Sequence, residues 1–569
     1  MRSRMRLRCS PALLSSLALA CGSSGDATDS ASGQVTTATM PATTGGFLTT
    51  GDAPTGSTAA MTGAPVTTSD GTTDAGADSS SGATTSAPDP DPPDPLVVRR
   101  GVMHLHSPYS HDACDEQGLM DGAPNPGCLA DLRAAVCATG LDFAFLTDHP
   151  AHMQEQEFVA DLLYSEADGD ELVMEGDAPV LNLLRCADDR RVALAVGYES
   201  THTLPLGLHH HVAPEFYAGL VDADPLEVST ALVGALKDAG AVVAIAHSEE
   251  EDLSAQRIVD VGLDAMEWYN PHGNFKNVFG GDSVTSDPGA LLDLFNSLTP
   301  FMAGSSSGAH ADLVYLQLLP AWPQAGFDKW REVQRARAVT GILGSDVHQN
   351  VSIEPLCSED NPIAQQACIA GAKALLPDEL DSLVDGGTIQ MSDGDRLDSY
   401  ARIMRWLENR VLTPPGDVAL ATLQDALRAG RNYGLFAVFG DPADLRYFAT
   451  DASDGYLSMG DGAAGPLTLE VRAPSRPVPL HAAGPQWSED EARTAELRVE
   501  LWRTDAVGTT MATMQMGLDA ALSYPAAEPG AYHVEIWIRP QHLKAALGDQ
   551  SALADAWYMW LITNPIRVL

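Results

Sequence analysis

The stretch 101–112 reads GVMHLHSPYSHD and carries two histidines, His104 and His106, near the end of a short apolar run at 96–103. If that run forms a β-strand, residues two apart point to the same side, so both imidazoles leave the strand on one face. Two converging imidazoles suit a divalent transition metal. The stretch therefore predicts a metal site at the end of the first strand.

Downstream of this stretch, short apolar segments alternate with helix-like segments. Continuous apolar strands separated by helices are typical of a parallel sheet that is covered on both faces. Six or seven such units over roughly 250 residues favour a TIM-like barrel over an open sheet. The candidate strands are Leu141–Thr147, Val192–Glu199, Ala241–His247, Asp264–Asn270 and Val339–Asp346, and the candidate helices are Leu129–Thr139, Pro225–Ala239, Gly289–Leu298 and Phe327–Ala338.

Side chains that ligate metals recur at the carboxyl ends of these strands. Thirteen of the 16 histidines lie between His104 and His348. Barrels of this kind assemble their active sites at the carboxyl ends of the strands, so we expect a multinuclear metal site there. The strand-end residues are His104, His106, Asp148, His149, Glu199, His247, Glu267, Asn270, Asp346 and His348.

The C-terminal part of the chain has a different pattern. Two helices are predicted at Arg396–Val411 and Asp417–Ala429. From about residue 455 short β-type segments with Gly, Pro and Asp turns follow, which indicates a small all-β sandwich. The candidate strands there are Leu467–Arg472, Leu497–Trp502, Ala531–Ile538 and Trp557–Ile562. We place the barrel with its extra helices at 96–450 and the sandwich at 451–569.

The N-terminus has the features of an export signal. Residues 1–8 contain four arginines, and 11–20 form an apolar core that is too short to span a bilayer. Small residues precede Cys21, so 1–21 resembles a bacterial lipoprotein signal with Cys21 as the lipidated residue; an ordinary secretory signal is the alternative. We expect an exported lipoprotein of the cell envelope, with the lipid as its contact to the membrane.

Residues 22–95 form a Ser/Thr/Gly/Asp/Pro-rich segment without a single Lys or Arg. Such a segment buries too little apolar surface to offset the entropy of ordering, so we expect a disordered tether. The formal net charge of the whole chain is -44. This charge argues against sequence-independent nucleic-acid binding, which needs a basic face.

Export also bears on the cysteines. Apart from Cys9 and Cys21, six remain, and an even number in an oxidising compartment predicts disulfides. Six cysteines allow 15 connectivities. The short-loop candidates are Cys114–Cys128 and Cys357–Cys368, and the full connectivity stays open.

With these residues assembled, the chain resembles the PHP (polymerase and histidinol phosphatase) superfamily of metal-dependent phosphoesterases, and within it the CehA/McbA-type metallohydrolases. The matching motifs appear in the same order over roughly 101–569. They are HLHSPYSHD, GLDFAFLTDH, VGYEST, VVAIAH, DAMEWYN, GILGSDVH, ALRAGRNYG and ITNPIRV.

The resemblance implies a distorted (β/α)7 barrel holding two or three divalent ions, zinc, manganese or iron. It implies one ion held by His104, His106, Glu199 and Asp346, a second shared through Glu199 and held by His247 with a histidine of 209–211, and a third held by His111, His149 and His348. Asp112 is the alternative to His111, and His209 and His211 share a strand face, His211 matching best. The family's acidic residue two before the first histidine is here Val102.

The function that we expect is hydrolysis of a small-molecule phosphomonoester or diester by a metal-bridging hydroxide. Glu199 would bridge two ions, because a carboxylate has two oxygens and a charge to offset two cations, and Asp148 would orient the His149 imidazole. Candidates for contact with substrate are His272, Asn270 and Arg431. The alternatives are a hydrolase of carbamates or carboxylic esters and amides, and a metal-stabilised surface binding protein without catalysis. The sequence leaves the oligomeric state open.

Overall fold

A computed structural model of the chain describes residues 95–200, 202–218, 229–249, 254–271, 296–318, 324–353, 365–366, 369–370 and 387–569. Among these residues, no helix has both the length and the apolar character needed to cross a bilayer. The predicted signal peptide and all but the last residue of the tether lie outside the described residues. So do His272, the pair Cys357–Cys368 and most of the predicted helix 289–298, and all of these stay predictions.

Strands and helices alternate through the first two thirds of the described chain. The strands here are β1 (Val97–Leu105), β2 (Phe143–Leu146), β3 (Glu171–Glu175), β4 (Ala178–Arg185), β5 (Arg191–Val196), β6 (Thr203–Leu206), β7 (Val242–Ile245), β8 (Ala265–Tyr269), β9 (Thr340–Leu343), β10 (Glu408–Thr413) and β11 (Asn432–Leu435). The main helices are α1 (Pro126–Ala138), α2 (Thr230–Asp238), α3 (Ala255–Val261), α4 (Gln324–Ala336), α5 (Tyr400–Trp406) and α6 (Leu420–Ala429). Each candidate strand between 141 and 346 is confirmed, with shorter bounds.

The remaining chain is mostly strand. These strands are β12 (Arg446–Thr450), β13 (Leu467–Arg472), β14 (Glu496–Thr504), β15 (Thr509–Met516), β16 (Ala521–Ala526), β17 (Gly530–Arg539), β18 (Tyr558–Thr563) and β19 (Ile566–Val568). The strands predicted near 467, 497, 531 and 557 are therefore confirmed.

Two sheets carry the strand ends on which the site is built. Sheet one runs β19–β17–β18–β11–β10–β1–β2–β5–β4–β3, and β14 joins it at β17 with β15 beside it. Sheet two runs β9–β8–β7–β6. The pairs β1–β2, β2–β5, β7–β8 and β8–β9 are parallel, whereas β6 runs antiparallel to β7. The interior between the two sheets is apolar and includes the buried side chains of Met103, Phe145, Leu204, Val242 and Ile342.

The sequence predicts a distorted, TIM-like (β/α)7 barrel, and in the structure its two sheets do not close into one continuous barrel. Between β9 and β1 there is a single parallel bridge, Leu105–Val347. The backbone of β9 is instead satisfied by asparagine side chains. Asn409 Oδ1 accepts from the Leu343 N–H at 2.9 Å, and Asn564 Oδ1 accepts from the Gly341 N–H at 2.8 Å. These amides occupy the edge at which a neighbouring strand would pair.

The predicted helix Arg396–Val411 is helical only at Tyr400–Trp406 and is wrong on both sides of that segment. The helix α5 ends at Trp406, and β10 then pairs antiparallel with the first half of β1, with Val97 opposite Thr413. Every residue of β10 is buried. Helix propensity in this segment is overridden because the strand satisfies the backbone of β1 in the interior.

The C-terminal strands form antiparallel sheets, as the sequence indicates. A third sheet contains β12, β13 and β16, and the Tyr447 Oη donates to the Tyr532 carbonyl of sheet one at 2.6 Å. However, β18 pairs with β11, so the C-terminal strands continue the sheet that contains β1. The division of the chain at residue 450 stays a prediction.

Two disulfides lie in the described residues. The predicted Cys114–Cys128 bond is present, and Cys137 pairs with Cys186. Both bonds end on α1, the first near its start and the second near its end. This helix begins at Pro126, after Asn125, whose side chain accepts from the Gly127 N–H.

Candidate metal centre

The carboxyl ends of the parallel strands bring histidines and carboxylates together. Within the described residues, four buried side chains offer ligand atoms that all lie within 4.8 Å of one another, and we call this group the inner cluster: His104, His106, Glu199 and Asp346. The four are the residues that the family resemblance implies for one ion. The strands place them because β1, β5 and β9 run in one direction and end at one edge.

The spacing of the inner cluster fits a divalent transition metal. His104 Nε2 and His106 Nε2 lie 3.1 Å apart, and each lies 3.5 Å from Glu199 Oε2 and 3.4 Å from Asp346 Oδ1. Four ligands at about 2.0–2.1 Å from a tetrahedral ion are roughly 3.3–3.4 Å from one another. Nitrogen and carboxylate donors are also the set that zinc, manganese and iron accept. The residues present therefore fit such an ion.

Glu199 touches more than the inner cluster. Its Oε2 lies 3.5 Å from His149 Nε2, and its Oε1 lies 2.9 Å from His247 Nε2. Another group of potential ligands joins His106, His149, Glu199 and His348. Glu199 is thus the carboxylate that the neighbouring groups share, as expected for a bridging ligand.

A third group, here called the outer cluster, consists of His111, Asp112 and His149. Asp112 Oδ2 lies 3.5 Å from His149 Nε2 and 3.3 Å from His348 Nε2. Burial would raise the pKa of the Asp112 carboxyl, but the His348 and His149 imidazoles hold that pKa well below its usual range. The His111 side chain is exposed, so the alternative ligand Asp112 is the better enclosed of the two.

Four imidazoles at the centre share one orientation. The Nδ1 of each donates to an oxygen that is not one of the potential ligand atoms: Glu267 Oε1 for His104, Ser110 Oγ for His106, the Glu199 carbonyl for His149 and the Asp346 carbonyl for His348, at 2.7–3.2 Å. This arrangement leaves the Nε2 of each ring facing the carboxylates. Metal-ligating histidines characteristically use their second nitrogen in this way.

Glu267 is a positioning residue that the sequence interpretation placed at a strand end without a role. Its Oε1 accepts from His104 Nδ1 at 2.7 Å, and its Oε2 accepts from the His247 N–H at 2.8 Å. It therefore links the side chain of His104 to the backbone of His247. A Cβ at Gly344 would lie 1.8 Å from Glu267 Oε1, so only glycine allows this carboxylate to approach.

The backbone is strained at two of the strand ends. His247 has φ of 51° and Asp346 has φ of 48°, both in the left-handed region that residues other than glycine seldom occupy. Such conformations persist where the surrounding structure enforces them, and they concentrate at functional sites. Here they turn both side chains toward Glu199 and each other, with His247 Nε2 3.4 Å from Asp346 Oδ2.

The carboxylates and imidazoles of the centre shift each other's pKa. Burial would raise the pKa of the Glu199 carboxyl, but His104 and His149 hold that pKa well below its usual range. Burial would lower the pKa of the His104 imidazole, but Asp346 and Glu267 hold that pKa well above its usual range. The Glu199 carboxylate is thus kept in the anionic form that binds a cation.

The structure does not bring the predicted ligands His209 and His211 to this centre. β6 runs antiparallel to β7, so the chain leaves β6 beside the start of β7, and the His209 N–H donates to the Ala239 carbonyl there. His209 Nδ1 lies 3.4 Å from Glu175, and His211 contacts Tyr217 Oη and the Gln156 carbonyl. These histidines lie at the end of β7 opposite His247.

His202, which the sequence interpretation missed, lies beside His247 at the other end of β7. The Ala246 N–H donates to the His202 carbonyl at 3.1 Å, which places His202 beside His247, and its side chain is buried. The signal in the sequence is the position of His202 between Glu199 and the apolar run TLPL. The run of three histidines at 209–211 is the more conspicuous feature of this segment.

Three other residues with predicted roles contact partners that the sequence does not predict. The Asp148 carboxylate accepts from the backbone N–H and the hydroxyl of Ser107, so it fixes the turn after β1 and contacts no imidazole through a described hydrogen bond. Burial raises its pKa to about 6. Arg431 lies 3.1 Å from Asp461, and Asn270 Nδ2 donates to Glu267 Oε2. Asn270 thus supports the centre, whereas Arg431 pairs elsewhere.

A small pocket opens beside Asp346 and His348. The described residues that line it are Pro271, Ser345, Asp346, His348, Gln349, Asn350, Val351, Asp398 and Ile403. None of these is Lys or Arg, so this lining offers a bound anion no cationic side chain.

The comparisons with known proteins give distant structural likeness alone. No family model matches the chain, and no curated protein matches it. A solved structure that it resembles is a two-domain protein from Bacteroides vulgatus described as containing a predicted PHP-like metal-dependent phosphoesterase. The likeness covers 82% of this chain and 95% of that one, at 12% sequence identity and a TM-score of 0.29.

Proposed function

We propose that the chain is an exported metal-dependent hydrolase, and that it is a phosphoesterase acting on a small-molecule phosphomonoester or diester. The observation that carries this proposal is the position of Glu199. Its carboxylate lies 3.5 Å from His106 Nε2 of the inner cluster and 3.5 Å from His149 Nε2 of the outer cluster. One carboxylate between two ligand groups is suited to hold two cations side by side.

When bound there, divalent ions would lower the pKa of a water and offset negative charge on a phosphoryl oxygen. The chain's own residues would do the positioning. Glu199 and Asp346 would supply the anionic charge that retains the cations, and Glu267 would hold the His104 ring so that Nε2 faces them. The buried strand ends fix this geometry before any substrate arrives.

A second candidate function is hydrolysis of a carbamate or another carboxylic ester or amide. The observation that favours it is the pocket beside His348, whose described lining contains no Lys or Arg. A phosphate dianion is commonly held by such cationic side chains, whereas an uncharged carbamate needs none.

The test is to assay the full-length chain loaded with Mn²⁺ on an aryl phosphodiester, an aryl phosphomonoester and an aryl carbamate. The matched control is Glu199→Gln, which keeps the size of the side chain and removes its charge. Phosphoester cleavage that chelation and Glu199→Gln both abolish supports the leading proposal. Carbamate turnover alone replaces it with the second candidate. Bound metal without turnover of any of the three favours a surface binding protein.

Export is a separate part of the proposal. It is supported by the sequence of residues 1–21 and by the disulfides Cys114–Cys128 and Cys137–Cys186, because disulfides persist in oxidising compartments. The test is to fractionate bacterial cells that express the full chain or Cys21→Ser. We expect the unaltered chain in the membrane fraction and the variant outside it. Equal amounts of both in the cytoplasm would contradict export.

A further inference from the structure

The loop that follows Asp112 has an unusual backbone. Cys114, Asp115 and Glu116 have φ of 52°, 57° and 64°, three consecutive residues in the left-handed region, none of which is glycine. L-residues other than Asn and Asp disfavour this region because the Cβ approaches the following carbonyl oxygen. A run of three does not persist through local preference, so contacts from elsewhere must hold it.

Those contacts come from the loop that carries His348 and from one arginine. The Cys114 N–H donates to the His348 carbonyl at 2.9 Å, and the Asp115 N–H donates to the Gln349 carbonyl at 3.0 Å. The Arg396 guanidinium donates to both oxygens of Asp115 at 2.8 and 3.1 Å. The turn is thus docked against the backbone of a predicted metal ligand.

The one covalent restraint on the turn is the disulfide from Cys114 to Cys128, with a Cα–Cα distance of 6.1 Å. Cys128 lies in the first turn of α1, which packs its buried face, including Leu132, into the core. The turn is therefore tied to an element that does not depend on the metal centre for its own position.

Asp112 needs such support. Its Oδ1 accepts from Ser110 Oγ at 2.8 Å, and its Oδ2 has a long contact of 3.5 Å with Asn350 Nδ2. Only Ala113 separates it from Cys114. Any movement of the turn therefore moves the Asp112 carboxylate relative to His149 and His348.

We infer that the Cys114–Cys128 disulfide, acting through the left-handed turn 114–116, is the positioning element that keeps Asp112 in the outer cluster. The inference rests on the metal centre proposed above, and it concerns the outer position alone. The inner cluster is held by strands and does not depend on this bond.

The chain contains a matched control for this inference. Cys137–Cys186 ties the far end of α1 to the segment between β4 and β5, and it spans 49 residues of sequence against 14 for Cys114–Cys128. A disulfide that closes a longer loop restrains the unfolded chain more. If the disulfides only stabilise the fold, removing Cys137–Cys186 should have the larger effect on both unfolding temperature and metal affinity. If Cys114–Cys128 positions Asp112, removing that bond should weaken the binding of the outer metal.

The test is to titrate the full-length chain with Mn²⁺, to follow free Mn²⁺ by electron paramagnetic resonance, and to record the unfolding temperature of each variant. For Cys114→Ser/Cys128→Ser we expect the outer Mn²⁺ to bind about tenfold more weakly and the inner Mn²⁺ to be unchanged, a change of about one decade in Kd. For Cys137→Ser/Cys186→Ser we expect both affinities within about twofold of the unaltered chain, with the larger fall in unfolding temperature.

A second pair of variants keeps both disulfides and so remains informative if the cysteine variants fail to fold. Glu116 is exposed and has φ of 64°. Glu116→Gly adopts this conformation freely, whereas Glu116→Val, with its branched Cβ, resists it. Both variants remove the Glu116 carboxylate with its contacts, so the difference between them reports on the backbone. We expect Glu116→Val to bind the outer Mn²⁺ several-fold more weakly than Glu116→Gly.

Equal weakening by the two cysteine variants, or no difference between Glu116→Val and Glu116→Gly, would overturn the inference. These results are separate from the proposed function. Absence of ester hydrolysis in the unaltered chain would end the phosphoesterase proposal and leave the Mn²⁺ comparison intact.

Discussion

The inner and outer clusters are made of the same residue types but are held in different ways. The four side chains of the inner cluster are buried at the ends of β1, β5 and β9. Two residues of the outer cluster, His111 and Asp112, lie on the loop after β1, and His111 is exposed. The comparison teaches that buried strand ends, with hydrogen bonds such as that from His104 Nδ1 to Glu267, position the inner ligands, whereas the outer ones lie on a loop that a covalent bond ties to α1.

The largest effect is expected from the inner cluster. Asp346→Ala or His104→Ala would remove a ligand of the proposed inner ion, and such an ion would contribute several kcal/mol of transition-state stabilisation. We expect kcat/KM to fall by about a thousandfold or more. Circular dichroism and thermal unfolding control for the fold, which we expect to be spared. Full turnover in either variant means that the inner cluster is not the catalytic centre.

The next largest effect is expected from Glu267, which orients a ligand and is not itself one of the potential ligands. Glu267→Gln keeps the size of the side chain but weakens the hydrogen bond to His104 Nδ1. Such orienting partners typically account for 10- to 100-fold in metal affinity or activity, so we expect a loss in that range. Glu175→Gln, whose side chain faces His209, is the matched control. Equal kinetics for the two variants would remove Glu267 from the account.

The outer cluster is expected to respond more weakly and separately. Asp112→Asn should weaken the binding of the outer Mn²⁺ about tenfold and leave the affinity for the inner Mn²⁺ unchanged. The reason is that Asp112 contacts His149 and His348, which are not members of the inner cluster. His111→Ala should weaken the binding of the outer Mn²⁺ less, because the His111 side chain is exposed. The reverse order, measured in the same Mn²⁺ titration, would restore His111 as the principal ligand.

The smallest effect is expected from His211→Ala. Its imidazole contacts Tyr217 and the Gln156 carbonyl rather than the centre, so metal content and turnover should stay within about twofold. The matched variant is His202→Ala, at the end of β6 that lies beside His247, and this one should lower both quantities. Loss of metal in His211→Ala alone would mean that the chain after β6 runs toward the centre.

The inner cluster follows from the sequence because two simple rules locate it. Apolar strands that alternate with helices run parallel, and their carboxyl ends meet at one edge. His104, His106, Glu199 and Asp346 each lie at such an end. Neither rule depends on details of a loop, so the residues could be identified without knowing how the barrel closes.

The parts that could not be predicted depend on long-range pairing. The direction of β6 decides whether His202 or the run 209–211 lies near His247, and no local pattern fixes that direction. In the same way, β10 is a strand because it pairs with β1, and Asn409 interrupts the barrel because its amide reaches Leu343. Pairings between residues far apart in sequence override local propensity.

The most direct test of the account is the metal content of the full-length chain, measured by elemental analysis after purification without chelators. The account predicts two or three divalent ions per chain, zinc, manganese or iron, and the loss of at least one in Asp346→Ala. A folded chain that retains no metal, even after incubation with Zn²⁺ and Mn²⁺, would contradict it.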